Sequence, residues 1–321
     1  MQVSVCIITN GLCSPLMNIQ DVRAFVAVAE SGSVNRAAAR LNLTQPATTR
    51  RIQSFEAAIG DTPLFDRSVK PAVLTAAGHH VLEHCRRVLA AMAELEACAS
   101  TAADPVGDLK AGVAHGLGEM VMTGPLNALR GRFPGIRLRV SSNWSTNLIE
   151  EVRSGALDFA VGLLTDAHSI PTGLLRVPLG AEQVVIVAPV NSSVVSVGAA
   201  QSLGDLAGEG WLLNPPGCGC RAALTRAFDR LQRPIHIAAE VFGEDLQLSL
   251  LAQSGGLGLV PRRQFEQSPH RHQLRIVDLA DFTLPATVSL IRRAGRGRFD
   301  AAIELLVDRL RAKLQGETIA A

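Results

Sequence analysis

Between residues 19 and 60 apolar side chains return every three or four positions, three times over, and each run is cut off by a turn signal. Val22, Phe25, Val26 and Ala29 share one helix face, and Ser31-Gly32 interrupts it. Ser33 is a good N-cap, after which Val34, Ala37, Ala38 and Leu41 repeat the spacing as far as Asn42-Leu43. Thr44 can cap a third helix that tolerates Pro46 in its first turn. Its inner stripe is Thr48, Ile52, Phe55 and Ile59, and Gly60-Asp61 stops it. Two short helices joined by a tight turn predict a helix-turn-helix whose second helix enters the DNA major groove.

Residues 61–74 read as a turn, a short strand pair and a loop carrying Arg67 and Lys70. Thr75 caps a long helix to about Ala99. On it Val81, Cys85, Val88, Met92, Leu95 and Ala99 step by four and three, the seam of one helix lying along another. This favours dimerisation over packing within one domain. Thr101 to Asp108, with Pro105 and Gly107, is a hinge. From Leu109 the rhythm changes to strands alternating with helices, which implies parallel sheets flanked by helices. The expected elements are strands 109–114, 137–141, 158–162, 183–189, 211–213, 235–241, 257–261 and 287–292, with helices 117–132, 146–154, 220–231, 245–253 and 299–314. Two α/β lobes with a cleft between them follow, and ligands of such sheets bind where strands end and helices begin.

The inner stripe of the third helix leaves Gln45, Pro46, Thr49, Arg50 and Gln53 facing out. Gln and Arg read adenine and guanine edges bidentately, and Thr49 can take a phosphate or a thymine methyl. Arg51, Arg67 and Lys70 fall where backbone phosphates would run, and Ser33 joins this DNA-facing set at the turn. A net charge of +2 excludes a non-specific nucleic-acid coat, so DNA binding must come from a local patch. Twenty-eight of the 31 basic residues are Arg, the better side chain for phosphate and bidentate contacts. The competing reading is a pure small-molecule-binding module whose helical N-terminus only mediates assembly.

Residues 17–105 resemble the N-terminal half of LysR-type transcriptional regulators. The matching residues are Phe25-Val26-Ala27-Val28-Ala29-Glu30, Gly32-Ser33, Ala37-Ala38 with Leu41, Thr44-Gln45-Pro46-Ala47 with Arg50 and Ile52, Leu64-Phe65 with Arg67, and Leu74-Thr75 with Ala77-Gly78. The resemblance implies a winged helix-turn-helix over 17–75 and a dimerising linker helix and hinge over 76–104. It implies that Gln45, Pro46, Thr49 and Arg50 approach bases or phosphates, and that Arg67 is the wing's phosphate contact. Val34-Asn35 departs from the family's usual aromatic and small hydroxyl pair, and Thr48-Thr49 from its commoner Leu-Ser. Residues 109–315 resemble the family's two-lobed, periplasmic-binding-protein-like effector domain through Phe133-Pro134-Gly135, Gly155-Ala156-Leu157-Asp158-Phe159-Ala160 and Gly255-Gly256-Leu257-Gly258-Leu259-Val260-Pro261. Lobe I is then 109–182 plus 284–315 and lobe II 183–283. The fold class is α+β and multi-domain. Partners implied are double-stranded DNA, a small-molecule effector, RNA polymerase and further copies of the chain, as a homodimer or homotetramer.

Four loops should line the cleft: Ala114-His115-Gly116, Asn143-Trp144-Ser145-Thr146, the Asn214–Arg221 loop with Gly217 and Cys218, and Phe242-Gly243-Glu244-Asp245, beside the strand end at Gly162. The family often has Ser or Thr in the first loop to hold an anion. Here Ala114 and Gly116 supply no hydroxyl, and His115 is left to hydrogen-bond. Thr146 is expected to cap its helix and meet the effector. Cys218-Gly219-Cys220 at a helix start beside Arg221 suggests a redox sensor as the alternative function, since a helix N-terminus and an Arg lower a thiol pKa. The six cysteines are scattered, which fits a reducing cytoplasm rather than a secreted disulfide framework. His80 and His84 stand at i, i+4 but read as solvated helix surface rather than a zinc site. Nucleophile-elbow, Walker, zincin and dinucleotide motifs are all missing, so no catalysis, metal or cofactor is expected. No run of about 18 apolar residues suggests a membrane span. Residues 1–16 carry no charged side chain and are expected to form a tail ahead of an alternative start at Met17.

Overall fold

A computed structural model describes residues 17–69, 71, 73–99, 104–119, 123–166, 168–192, 201–295 and 297–316. Lys70, the 1–16 tail and hinge residues 101–103 lie outside that range. The chain divides into one unit ending at Ala99, which also takes in residues 154–156, and a second holding Ser100–Arg153 and Leu157–Ala321. No helix among the described residues is long and apolar enough to cross a membrane.

In the first unit α1 (Ile19–Ser31), α2 (Val34–Arg40) and α3 (Gln45–Ala58) precede a two-stranded antiparallel ribbon, β1 (Phe65–Asp66) and β2 (Val73–Leu74), and the long α4 (Ala76–Ala99). The caps follow from side-chain chemistry. Asn18, Ser33 and Thr44 each accept a backbone N–H of the helix they open, and Gly32 closes α1 with φ of 63°. Phe25 is the centre of the core, its ring 5.4 Å from Phe55 and 5.5 Å from Phe65. Val22, Ala37, Ile52, Leu64, Leu82 and Cys85 pack with it. The expected seam on α4 therefore splits. Cys85 belongs to the unit's own core, where burial pushes its thiol up to about 11, whereas Val88 and Leu95 stand 49% and 71% exposed.

The second unit has the described elements β3 (Gly107–Ala114), α5 (Pro125–Arg132), β4 (Ile136–Asn143), α6 (Ser145–Arg153), β5 (Phe159–Leu164), β6 (Leu174–Pro189), a 3-10 turn at Leu203–Leu206, β7 (Gly210–Leu213), α7 (Gly219–Arg230), β8 (His236–Glu240), α8 (Glu244–Ser254), β9 (Leu257–Pro261), α9 (Arg262–Gln267), β10 (Leu274–Val277), β11 (Leu284–Arg293) and α10 (Asp300–Leu314). The strand order is β4-β3-β5-β11-β6-β9-β7-β8, with β10 also on β6. Pairing is parallel within β4-β3-β5 and within β9-β7-β8. It is antiparallel wherever β6, β10 or β11 takes part. The expectation of parallel sheets thus holds for two triplets, joined by long antiparallel strands. β6 runs 16 residues, pairing β11 over 174–184 and then β9 over 184–187, so the expected lobe boundary at 182/183 falls inside one strand. The expected helix 117–132 is not continuous: Gly124 has a φ of 89° that no right-handed helix holds, and the helix described beyond it begins at Pro125.

Candidate functional site

The first candidate surface is the outer face of α3. Thr48, Ile52 and Phe55 turn into the core, and this commits the opposite side of the same helix to solvent. Gln45, Pro46, Arg50 and Gln53 are exposed and Thr49 is half-exposed. Gln45 Nε2 donates to Thr49 Oγ1 at 3.2 Å, so the two form one polar tooth at the start of the helix. Ser33 caps α2, with its hydroxyl accepting the N–H of Arg36 at 3.5 Å. Arg51 departs from expectation: its guanidinium is paired with Asp21 of α1 at 3.0 Å, which ties α3 to α1 instead of leaving a charge for phosphate. Arg67, in the loop after β1, is exposed, but its Nη2 meets Glu56 Oε2 at 2.7 Å while Glu56 Oε1 accepts from the Leu64 N–H. One carboxylate therefore holds both the loop backbone and its arginine.

The second candidate surface lies within the two-lobed unit, where strands β3, β4, β7 and β8 end. Gly116 has φ of 78°, and a Cβ there would lie 2.9 Å from Gln264 Oε1 and 3.1 Å from Glu244 Oε1. Gly217, at φ of 103°, brings the β7–α7 loop down on Trp144, whose Cδ1 would be 3.1 Å from an added Cβ. So two glycines bring loops of one lobe onto side chains of the other. Trp144 and Phe242 stack at 6.0 Å and 29°, and His115 meets Trp144 edge-on at 4.5 Å. His115 Nδ1 is 3.1 Å from Ser142 Oγ, and burial lowers its pKa, which favours the neutral ring.

Other expected contacts are placed differently. Ser145 is buried, and its hydroxyl donates to Leu163 O and accepts from Leu163 N. An added Cβ on Gly162 would lie 3.1 Å from that hydroxyl. These two residues lock α6 to β5 and offer no free hydroxyl. Helix α6 starts at Ser145, so Thr146 lies in the first turn instead of capping it. Ala114 is buried at the end of β3, whereas Thr146 is exposed and Gly243 half-buried.

Cys218 caps α7 and, like Cys220, is a free thiol. The hydrogen bond from Cys220 lowers the Cys218 pKa to about 7, helped by the backbone N–H groups of Arg221 and Cys220 and opposed by burial. The same bond, with burial, pushes Cys220 up. Sequence reasoning missed Glu244, Gln247, Gln264 and Asn214 as a set. Glu244 is buried, which raises its pKa, and Asn214 donates to it. Buried oxygens on Asn214, Gln247 and Gln264 have no partner among the described residues. Spread over 50 residues from Asn214 to Gln264, they gave no local pattern to find. Among the described residues no cluster of three potential metal ligands occurs.

Residues 19–79 match the family described as bacterial regulatory helix-turn-helix proteins of the lysR family, and residues 102–315 match the LysR substrate binding domain. The SDS degradation transcriptional activation protein of a Pseudomonas strain is 30% identical over 312 residues, covering 84% of this chain and 99% of that one. A probable hydrogen peroxide-inducible genes activator of Mycobacterium xenopi is 34% identical over 169 residues, 52% of this chain and 87% of that one. The fold is similar to full-length OxyR of Pseudomonas aeruginosa, with a TM-score of 0.75, 21% identity, and coverage of 95% of this chain and 99% of that one.

Proposed function

This chain belongs to the LysR family of DNA-binding transcriptional regulators, and on that premise we propose how its own residues carry the task. Helix α3 lies in the major groove. Gln45, Arg50 and Gln53 read base edges, Thr49 takes a thymine methyl or a phosphate, and Pro46 packs against the backbone. Arg67 and Lys70 hold phosphates on the wing, with Arg67 first exchanging Glu56 for DNA. Arg51 positions α3 through Asp21 and is withdrawn from the phosphate contacts. The observation that carries this reading is a helix whose one face is core and whose other presents Gln, Arg and Gln to solvent. The apolar Val88 and Leu95 of α4 fit a dimer contact, which puts two copies of α3 on a dyad-related site, and two dimers form a tetramer.

The effector sits between the lobes, touched by His115, Gly116, Trp144, Thr146, Gly217, Cys218 and Gly243. It is bound and released without turnover, and no metal or cofactor takes part. Differential affinity of the effector for two lobe arrangements shifts the population of DNA-bound states and thereby recruitment of RNA polymerase in the cytoplasm. A footprint over the DNA beside the chain's own coding region tests the reading. The native chain protects a dyad, Gln45→Ala and Arg50→Ala lose it, and both variants keep their ligand affinity. Equal protection by the variants removes the mechanism.

The lowered pKa of Cys218 favours a second reading, a thiol switch within the same family. A peroxide-dependent change of footprint that disappears in Cys218→Ser supports it, and an unchanged footprint ends it.

A further inference from the structure

Glu244 opens α8 and is buried, and the charge that bears on it is the like charge of Asp245. Asn214 donates to it and leaves its own Oδ1 buried and without a partner. Gln264 Nε2 donates to Asp245 Oδ1 at 3.0 Å, and its Oε1 is likewise buried and unpartnered. Turning either amide over would set oxygen against a carboxylate, so the orientation of both is determined and the vacant positions are acceptors. Arg221, which reaches Asn214 O at 3.0 Å, is already paired with Glu240 at 2.6 Å.

Nothing in this cluster suits an anion. The N-terminus of α8, where an anionic ligand would gain from the helix dipole, is taken by Glu244 and Asp245. Burial lowers the His115 pKa, which disfavours the imidazolium an anion would pair with, and Ala114 and Gly116 carry no hydroxyl. Beside the acceptors stand the stacked rings of Trp144 and Phe242, the latter 65% exposed. An aromatic face attracts a cation. The inward side of Gly116 passes within 2.9 Å of Gln264 Oε1 and 3.1 Å of Glu244 Oε1 at the position a Cβ would take, the distance of an N–H donor from both.

We propose that the effector is a small organic cation with N–H donors, an amine or guanidine, held by Glu244, Gln264 and Asn214 beside Trp144 and Phe242 once the Gly116 loop backs away. The proposal rests on the reading of the interlobe cleft as the effector site. Putrescine and agmatine, with benzoate and succinate as anionic counterparts, are titrated at up to millimolar concentration into the full chain while tryptophan fluorescence and heat are followed. An amine binds saturably and the anions do not. Glu244→Gln weakens the amine about 10- to 100-fold, as loss of a charge-assisted hydrogen bond does, and Gln264→Leu weakens it less. A cooperative tryptophan unfolding transition in each variant shows that it is folded.

Silence from both amines overturns the proposal, as does amine affinity unchanged in both variants. Anion binding that Trp144→Leu abolishes leaves the cleft as the site and refutes the cation. Binding of any probe that ignores Trp144→Leu removes the cleft reading as well.

Discussion

Gly116→Ala adds one methyl group where a loop of one lobe lies against side chains of the other. A non-glycine residue at φ of 78° costs about 1 kcal/mol or more. The new Cβ would lie 2.9 Å from Gln264 Oε1 and 3.0 Å from Glu244 Cδ. Gln264 is half-buried and can swing away, forfeiting its bond to Asp245, worth about 1 kcal/mol. Glu244 is buried and has little freedom to move. The arrangement with the lobes together is therefore destabilised by about 2–3 kcal/mol, and for a unit of this size each kcal/mol moves the melting point about 2–4 °C. Both tryptophans, Trp144 and Trp211, lie in the two-lobed unit, so tryptophan fluorescence follows its unfolding without a signal from the DNA-reading unit. A fall in Tm of about 4–12 °C is expected, with operator affinity at low temperature altered only through the effector response. An unchanged Tm would refute the close approach of Gly116 to Glu244 and Gln264.

Other outcomes follow from the same geometry. Because burial raises the folded pKa of Glu244, its ionisation opposes folding as pH rises above the ordinary value of 4.5. Glu244→Gln is then more stable than the native chain at neutral pH, and thermal scans show that advantage vanish as pH falls below that value. Glu56→Gln keeps the Leu64 N–H bonded and frees Arg67; operator affinity at low salt rises about 2- to 5-fold, and the salt slope steepens by about one ion. Thiolate absorbance in the ultraviolet rises with a midpoint at about 7, and that step is absent from Cys218→Ser. A first thiolate appearing only near 9 contradicts the hydrogen bond from Cys220.

The first unit was legible because its helices are amphipathic and locally capped. Ser33 and Thr44 announce two starts, and Thr48, Ile52 and Phe55 declare which side of α3 is core. What periodicity does not carry is pairing between side chains distant in sequence. Arg51 looks like a phosphate ligand until Asp21, 30 residues away, is found beside it. The seam on α4 was half misread for the same reason. A four-three pattern records apolar spacing without recording what covers it, and Cys85 is covered by its own unit. In the second unit buried strands read as apolar runs, but strand direction does not, so the antiparallel β6 and β11 escaped the parallel pattern. Ser145 had the right residue type in the right loop, yet both hydrogen-bonding roles of its hydroxyl are consumed by Leu163. The Glu244 cluster needed the loop after β7, the start of α8 and helix α9 to be folded together before it could be seen.

The outer face of α3 is tested most directly by measuring native chain and Arg50→Ala against an operator set in which each base pair is changed in turn. The native chain discriminates at a base pair in each half-site by about 1–3 kcal/mol, and Arg50→Ala loses that discrimination there while retaining it elsewhere. An identical base-by-base profile for the two proteins would mean that Arg50, and with it the exposed side of α3, does not read DNA.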